Sequence, residues 1–469
     1  MTSIMESGKK VPVSYEADVV VVGAGVSGVA AAVASSRAGA ETLLIERCGF
    51  PGGTSTSGLM SAITNFYVTR RNQQVVRGVA QEVVDRLSAK GGVGKEPLTR
   101  EVPQIPNDPE KMKLVLIEML EDASVKVLYH TLVCAARVTR GRLRSIYVEN
   151  RARRSAVEAK TFVDATGDAD LAVMSGEKVE TVPANGSLEL QMGNVDVDSL
   201  VQYFLRNPSE YDEYGDVETS LGDFERNWSE KGIIHVPHGN GKKMSVVQKA
   251  IAEGRYHREL GVVHGLDAFG MYGFRGTRTL IVNTGFVTGD LLDPFFLSRA
   301  ESDARKAASV AARFLIENVP GFEHAYLAQT AAELGIRVTR RITGRYTLTP
   351  AERESFRRFP DVVAVTTERK IGGPRYEGAF DVPYGILVPR GIEGLLVASG
   401  KAVSTEPPAA IRGQVACMQL GQACGVAAAV SAKSGSRPSK VGIRGVQREL
   451  LRQGVYLGDG ERLSELGLA

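Results

Sequence analysis

The stretch Asp18-Val19-Val20-Val21-Val22-Gly23-Ala24-Gly25-Val26-Ser27-Gly28 decides the fold of this chain. Its first half is short, β-branched and continuously apolar, as a strand buried on both faces must be. It runs straight into three glycines spaced as G-x-G-x-x-G. An alanine-rich segment then continues to Arg37, and Gly39 falls where a helix has to stop. A second apolar run, Thr42-Leu43-Leu44-Ile45, ends in Glu46, about 20 residues beyond the turn. Gly23 permits the tight turn, Gly25 lets the backbone approach a pyrophosphate, and Gly28 lets the helix lie close to the sheet. The helix N-terminus at Val26 and Ser27 offers free N–H groups and a partial positive charge to phosphates. Glu46 is placed to accept hydrogen bonds from adenosine ribose hydroxyls, with Arg47 beside it. This is a dinucleotide-binding unit.

Three further segments favour FAD over NAD. Gly49-Phe50-Pro51-Gly52-Gly53-Thr54 follows Glu46, and its adjacent glycines let the chain pass close to the cofactor's phosphates and ribitol. Phe162-Val163-Asp164-Ala165-Thr166-Gly167-Asp168-Ala169-Asp170 reads as a strand returning to the first domain, with Thr166, Gly167 and Asp168 near the cofactor. Ahead of it, Val125–Leu128, His130–Arg137 and Leu143–Val148 read as strands, which puts a small β-meander between two Rossmann strands. Val133 is the expected backbone partner of adenine. Late in the chain, the run from Gly394 through Gly400 to Lys401 reads as a buried strand and turn. The run from Gly413 to Ala429, including Gly421, reads as a helix of small residues that can approach cofactor and sheet. Its N-terminus suits the flavin N1–C2=O edge, which gains negative charge on reduction.

The expected fold class is α/β. A discontinuous Rossmann-like FAD-binding domain covers residues 15–180, with an excursion over 71–109, and resumes at 390–435. An inserted α+β substrate domain built around a β-sheet covers 181–389, and 436–469 forms a C-terminal tail with a helix. Helices are expected at Val75–Ala89, Pro109–Asp122, Arg299–Asn318 and Glu323–Leu334, with a Gly/Pro-rich loop over Gly91–Asp108.

With these pieces in view, the sequence resembles the bacterial FAD-dependent oxidoreductase family within the glutathione-reductase-like flavoproteins. The markers run in order along most of the chain: Leu44-Ile45-Glu46-Arg47, Gly49 to Thr54, Val76-Arg77-Gly78-Val79-Ala80-Gln81-Glu82 and Asp164 to Asp170. Gly335-Ile336-Arg337-Val338-Thr339-Arg340-Arg341-Ile342, Tyr346-Thr347-Leu348-Thr349 and Asp381-Val382-Pro383-Tyr384 follow. The resemblance implies FAD as cofactor, but relatives differ widely in substrate. Members commonly carry Ala-Thr-His-Glu where this chain has Ser404-Thr405-Glu406-Pro407-Pro408, and often arginine where it has Lys401. An acid–base role for that histidine therefore does not carry over.

Composition narrows the alternatives. With 43% apolar and 24% charged residues the chain is built to fold rather than to stay disordered. A formal charge of +3 over 469 residues, with Arg151, Arg153 and Arg154 reading as a solvated loop, excludes a nucleic-acid surface as the leading function. Cys48, Cys134, Cys417 and Cys424 form no CxxC pair, and His235 and His238 have no third ligand nearby, so no metal site is expected. The polar N-terminal stretch and the lack of a run of about 18 apolar residues point to a cytoplasmic protein without a membrane span.

Candidate catalytic groups come from the insertion and the turn before the late helix. Arg340 and Arg341 are adjacent, so one is expected to bind a structural carboxylate and the other to reach the site. Arg412, just before the late helix, suits the flavin or an anionic substrate, and Glu406 stands where relatives have the Thr-His pair. Tyr384 and His264 are weaker candidates. The expected activity is FAD-dependent redox chemistry on a small organic molecule by hydride transfer at an alcohol, amine or C=C bond, with non-covalent FAD. A flavin monooxygenase and a Rossmann carrier without redox chemistry are the alternatives. The electron acceptor and any homo-oligomer are left open.

Overall fold

Val13–Val22 lies at the middle of a parallel sheet, with Val19 to Val22 buried. The computed structural model describes residues 11–64, 66–68, 73–98, 104–213, 219–367 and 378–469, so the first ten residues of the polar N-terminal stretch lie outside it. Thr42–Ile45 and then Lys126–Leu128 extend the sheet on one side, and Arg154–Asp164 pairs on the other. Leu395–Val397 joins in parallel beside the last residues of Arg154–Asp164, through Phe162↔Leu395 and Asp164↔Val397. Every pairing in this layer is parallel, which is why its strands read as unbroken apolar runs. The first half of Arg154–Asp164 does something else. It pairs antiparallel with Arg142–Glu149, which pairs with Leu132–Thr139, so one long strand carries both the meander and the Rossmann layer.

The first helix, Val26–Arg37, and the late helix, Gln414–Ser434, pack on this layer and against each other at backbone distance. A Cβ on Gly421 would stand 2.1 Å from the Ser27 carbonyl oxygen, and one on Gly425 would stand 2.0 Å from that of Ala31. Gly421, expected beside the cofactor, is thus a helix–helix contact residue. The late helix has the length and apolarity of a membrane span, yet 94% of that window is buried inside the protein.

Among the described residues the insertion holds two larger sheets where one was expected, besides the antiparallel pair Val362–Thr367 and Ala379–Pro383. Four strands run in the order Val263–His264, Phe286–Gly289, Val179–Ser187, Gly335–Ile342. Five more run Ile233–Val236, Gly270–Phe274, Thr279–Asn283, Leu190–Gly193, Tyr326–Thr330. Leu188 and Glu189 form the short link by which the chain passes from one sheet to the other. The helix Pro294–Asn318 starts earlier than expected, because Asp293 caps it by accepting from the Phe296 N–H at 2.6 Å and Pro294 takes the first helical position.

The helix expected over Glu323–Leu334 is a strand instead. Tyr326–Thr330 pairs antiparallel with Leu190–Gly193, so a free sheet edge overrode the helical preference of its alanines and leucine. The helix expected from Val75 begins at Val79, since Gly78 before it has φ +67°. Pro109–Asp122 is a helix with Asp108 as its cap, and Ile443–Arg452 and Gly460–Glu465 are helices of the tail. Within the loop expected over 91–108, residues 99–103 lie outside the described residues, and Gln104–Pro106 pairs with Ala62–Thr64.

Two hydrophobic cores result. One gathers the parallel sheet, both packed helices and the tail. It also takes in apolar residues from Ile342 to Val388, a stretch that the sequence reading assigned to the insertion. The other fills the insertion around Phe204, Phe269, Phe314 and Phe322.

Candidate active site

A cavity of about 790 Å³ opens where the parallel layer meets the insertion. On one wall lies the glycine turn. Gly23 has φ +94°, and a Cβ there would stand 2.6 Å from the Ala165 carbonyl oxygen, so only glycine fits. Gly25 faces open space, with nothing within 4 Å of where its Cβ would be. The helix that follows has no side-chain cap and no acidic residue in its first turn. Its first N–H groups, at Val26 and Ser27, stand at the cavity wall.

Glu46 is 8% exposed and clamps this turn. Its Oε2 accepts from the Ala24 N–H at 2.6 Å and its Oε1 from the Cys48 N–H at 2.8 Å. Thr131, Leu132 and Val133 border the same end. Gly52, Gly53 and Thr54 line the middle, where Gly25 and Gly52 form a parallel bridge. Thr166, Gly167 and Asp168 line the opposite side. Asp168 accepts from the Thr339 N–H at 3.0 Å, the Thr339 hydroxyl at 2.9 Å and Lys401 Nζ at 3.0 Å, so it ties the insertion to the turn after Leu395–Val397.

A second helix N-terminus reaches the same space. The late helix is capped by Gly413 without a side-chain hydrogen bond, and Gly413, Gln414 and Cys417 line the cavity. Ser55 donates to Gln414 Oε1 at 2.8 Å, which holds this end to the loop after the glycine pair. Two uncapped helix starts thus face one cavity, one where the sequence places a pyrophosphate and one suited to the electron-rich edge of a flavin.

A model of the FAD dependent oxidoreductase family matches residues 18–450. The chain belongs to this family. It is a redox enzyme, and FAD is its cofactor. No curated protein matches it. Among solved structures it is similar to a geranylgeranyl bacteriochlorophyll reductase-like protein from Thermoplasma acidophilum, at 14% identity over 96% of this chain and 90% of that one, with a TM-score of 0.46. It is also similar to the flavin-dependent brominase Bmp2, at 11% identity over 92% and 83% with a TM-score of 0.47, and to p-nitrophenol 4-monooxygenase PnpA from Pseudomonas putida DLL-E4, at 11% identity over 96% and 92% with a TM-score of 0.43.

The oxidoreductase's cavity continues past the cofactor wall into the insertion, and the sequence reading missed this part. Glu189, on the link between the two sheets, is 3% exposed and accepts a hydrogen bond from the Tyr272 hydroxyl. That hydroxyl also lies 3.2 Å from the Leu59 carbonyl oxygen and 3.6 Å from Met60 Sδ, on the loop after the glycine pair. Burial pushes the Glu189 carboxyl up to about 8, against opposing pulls from the Tyr272 hydrogen bond and the Arg337 charge. Tyr272 is raised well above its ordinary value, by burial first and then by the neighbouring carboxyl. His235 stacks on Tyr272 with ring centroids 6.4 Å apart, and His238 lies 5.0 Å from Phe286, over which Arg337 also sits. Asn283, 6% exposed, lines the same chamber, and its Oδ1 has no hydrogen-bond partner among the described residues.

Of the proposed catalytic residues, the cavity brings in only Arg412. Arg340 is held by Asp170 at 2.6 Å, and Arg341 by Glu180 at 2.6 Å and the Thr405 carbonyl, so both arginines are structural where one was expected in the site. Glu180 and Arg341 stand directly opposite each other in register, which explains that pair. Glu406 is exposed on a turn outside the cavity lining, where its N–H donates to the Leu348 carbonyl at 2.9 Å and its carbonyl accepts from Arg353 at 3.1 Å. Among the cofactor residues, Gly28, Gly400 and Gly421 lie behind the lining. Gly28 abuts the Gly23 carbonyl and Gly400 that of Ile411. Arg47 lines the cavity but is engaged by Glu333 across its mouth. Tyr384 donates to the Pro438 carbonyl at 2.9 Å and His264 meets Thr288 at 3.1 Å, both away from the cavity.

Proposed function

We propose that this enzyme moves a hydride between a small organic molecule and non-covalently held FAD. The observation that carries this reading is the single cavity that begins at the glycine turn and ends among Glu189, Tyr272 and Asn283 of the insertion. In this reading Gly23, Gly25 and the Val26–Ser27 amides hold the pyrophosphate, Glu46 the adenosine ribose, and the Val133 backbone the adenine. Gly413 and Gln414 then border the isoalloxazine, and Arg412 stabilises negative charge near it. When bound, FAD supplies the two-electron acceptor or donor at its N5.

The protein's own residues orient the substrate and exclude water. Met60, Val236 and Phe286 give the chamber apolar walls, and Glu189, Tyr272 and Asn283 bring polar groups to it, as a small-molecule site requires. Placing a substrate carbon between these walls and the cofactor converts the encounter into an oriented reaction. The test is anaerobic. Purified holoprotein is mixed with a panel of alcohols and amines and bleaching of the flavin is followed, and the chemically reduced holoprotein is mixed with activated alkenes and recovery of the oxidised spectrum is followed. Bleaching without oxygen is expected. Reaction only with oxygen and a nicotinamide donor, giving a hydroxylated product, would replace this reading with a monooxygenase.

A further inference from the structure

We infer that Glu189 is the proton-transferring catalytic residue of this cavity, that Tyr272 positions it, and that the substrate it serves is an alcohol or an amine. The inference rests on the hydride-transfer reading and adds the proton half of that reaction. Three observations lead to it. Glu189 is a carboxyl on the wall of the chamber, buried, and placed on the link between the insertion's two sheets, where both sheets fix its backbone. Its partner is another ionisable group rather than a cation: the Tyr272 hydroxyl, itself within reach of the Leu59 carbonyl at 3.2 Å. The other buried carboxyls without a cationic partner, Glu46, Asp164 and Glu177, each accept from two backbone N–H groups, whereas among the described residues Glu189 accepts only from the Tyr272 hydroxyl.

The third observation is Asn283. Asn283 lines the chamber, and its buried Oδ1 has no hydrogen-bond partner among the described residues, which leaves an acceptor for a donor on the ligand. A hydroxyl or amine brings such a donor and also holds the proton that Glu189 would take. For an alcohol, the O–H bond breaks and its proton bonds to a Glu189 oxygen. The C–H electron pair leaves with its hydrogen to FAD, the oxidant, and a C=O bond forms. Glu189 then returns the proton to solvent, and the same path runs backwards when a carbonyl is reduced.

Burial first, then Tyr272 from Gly270–Phe274 and Arg337 from Gly335–Ile342, set the titration of Glu189, and His235 from Ile233–Val236 is stacked on Tyr272. The experiment compares holoprotein with the Glu189→Gln and Tyr272→Phe variants. FAD content is measured by acid release and chromatography, carboxyl protonation by infrared difference spectroscopy against pH, and the bound flavin by its visible spectrum at each pH. The protonated-carboxyl band of the parent should fade with a midpoint near 8, and the flavin spectrum should shift with the same midpoint. Glu189→Gln should abolish both changes while keeping FAD. Tyr272→Phe should move the midpoint upward, because the lost hydrogen bond favoured the carboxylate.

If FAD is present in all three proteins and the flavin is indifferent to pH, or if the band titrates without any flavin response, Glu189 is structural and the inference falls while the hydride-transfer reading stands. Should either variant lose FAD, the parent's paired infrared and flavin midpoints still decide. Anaerobic bleaching by alcohols or amines should also rise with pH up to about 8 in the parent and fall at least 100-fold in Glu189→Gln. Reoxidation of the reduced flavin by activated alkenes, with no bleaching by any alcohol or amine, would overturn the substrate class, and no reaction with any of the panel would overturn the hydride-transfer reading as well.

Discussion

Replacing Glu46 by alanine removes two supports at once. The carboxylate accepts from the Ala24 N–H at 2.6 Å and the Cys48 N–H at 2.8 Å, and Ala24 is fully buried. Water therefore cannot replace the lost acceptor at Ala24, while the partly exposed Cys48 can be resolvated. A hydrogen bond to a charged group contributes roughly 1.5–3 kcal/mol, and a stranded buried N–H costs roughly 1–3 kcal/mol. The Ala24 contributions overlap and the Cys48 one is discounted, so the apoprotein should lose about 3 kcal/mol. Losing the ribose acceptor should weaken FAD by about 1–3 kcal/mol, or roughly 5- to 150-fold. Urea unfolding of the apoprotein reads the first effect at its first transition, and FAD titration by fluorescence quenching reads the second. Glu46→Gln, which keeps one acceptor oxygen, should fall between. An alanine variant as stable as the parent without FAD would refute the clamp, and unchanged FAD affinity would refute the ribose contact. The two refutations are independent.

Arg412→Ala should slow flavin reduction more than Arg412→Lys, which keeps the charge but not the planar fork, and equal rates in all three would make Arg412 structural. Gly425→Ala places a Cβ 2.0 Å from the Ala31 carbonyl and should cost about 1–3 kcal/mol by thermal unfolding, whereas an unchanged melting temperature would refute the backbone contact. Glu189 titrates at about 8 in the folded state against an ordinary 4.5, so the stability that its proton contributes is present below 4.5 and lost as pH rises to about 8. Glu189→Gln should therefore gain on the parent over that window, and a pH-independent difference in melting temperature would count against the shift. Arg47→Ala should change stability by less than about 1 kcal/mol, because the pair with Glu333 is largely solvent-exposed.

The cofactor half of the site was legible because its parts are close in sequence. Strand, turn, helix, strand and acid all fall between Val13 and Glu46, and each local preference agrees with the final fold. The substrate half was not legible for the opposite reason. Glu189, Tyr272 and Asn283 come from different parts of the insertion and meet only because Leu190 and Met271 both pair with Val282. One local signal existed. Glu189 stands alone as a charge between Leu188 and Leu190, and an acid interrupting a buried run needs a reason. Arg340 and Arg341 misled because neighbouring strand residues face opposite ways, yet a carboxylate awaited each of them, Asp170 on one side and Glu180 on the other. The alanines and leucine around Tyr326 misled because helix preference is weaker than the demand of an open sheet edge.

The pairing of Phe162 with Leu395, and the contact of Gly421 with Ser27, join parts of the chain made at widely separated times during synthesis. The glycine turn and its strands leave the ribosome early, but the last parallel strand and the late helix follow only after the whole insertion. Until then one side of Arg154–Asp164 lacks its neighbour, and the first helix exposes the small-residue face on which the late helix will lie. The nascent protein therefore carries an open sheet edge and an uncovered apolar surface through most of its translation, when strand exchange and aggregation are most dangerous. Closing contacts over such sequence distances is also slow, since loop entropy must be overcome before any of them is made. The wall that Lys401 and the start of the late helix give the cofactor cavity is therefore the last part of it to be made.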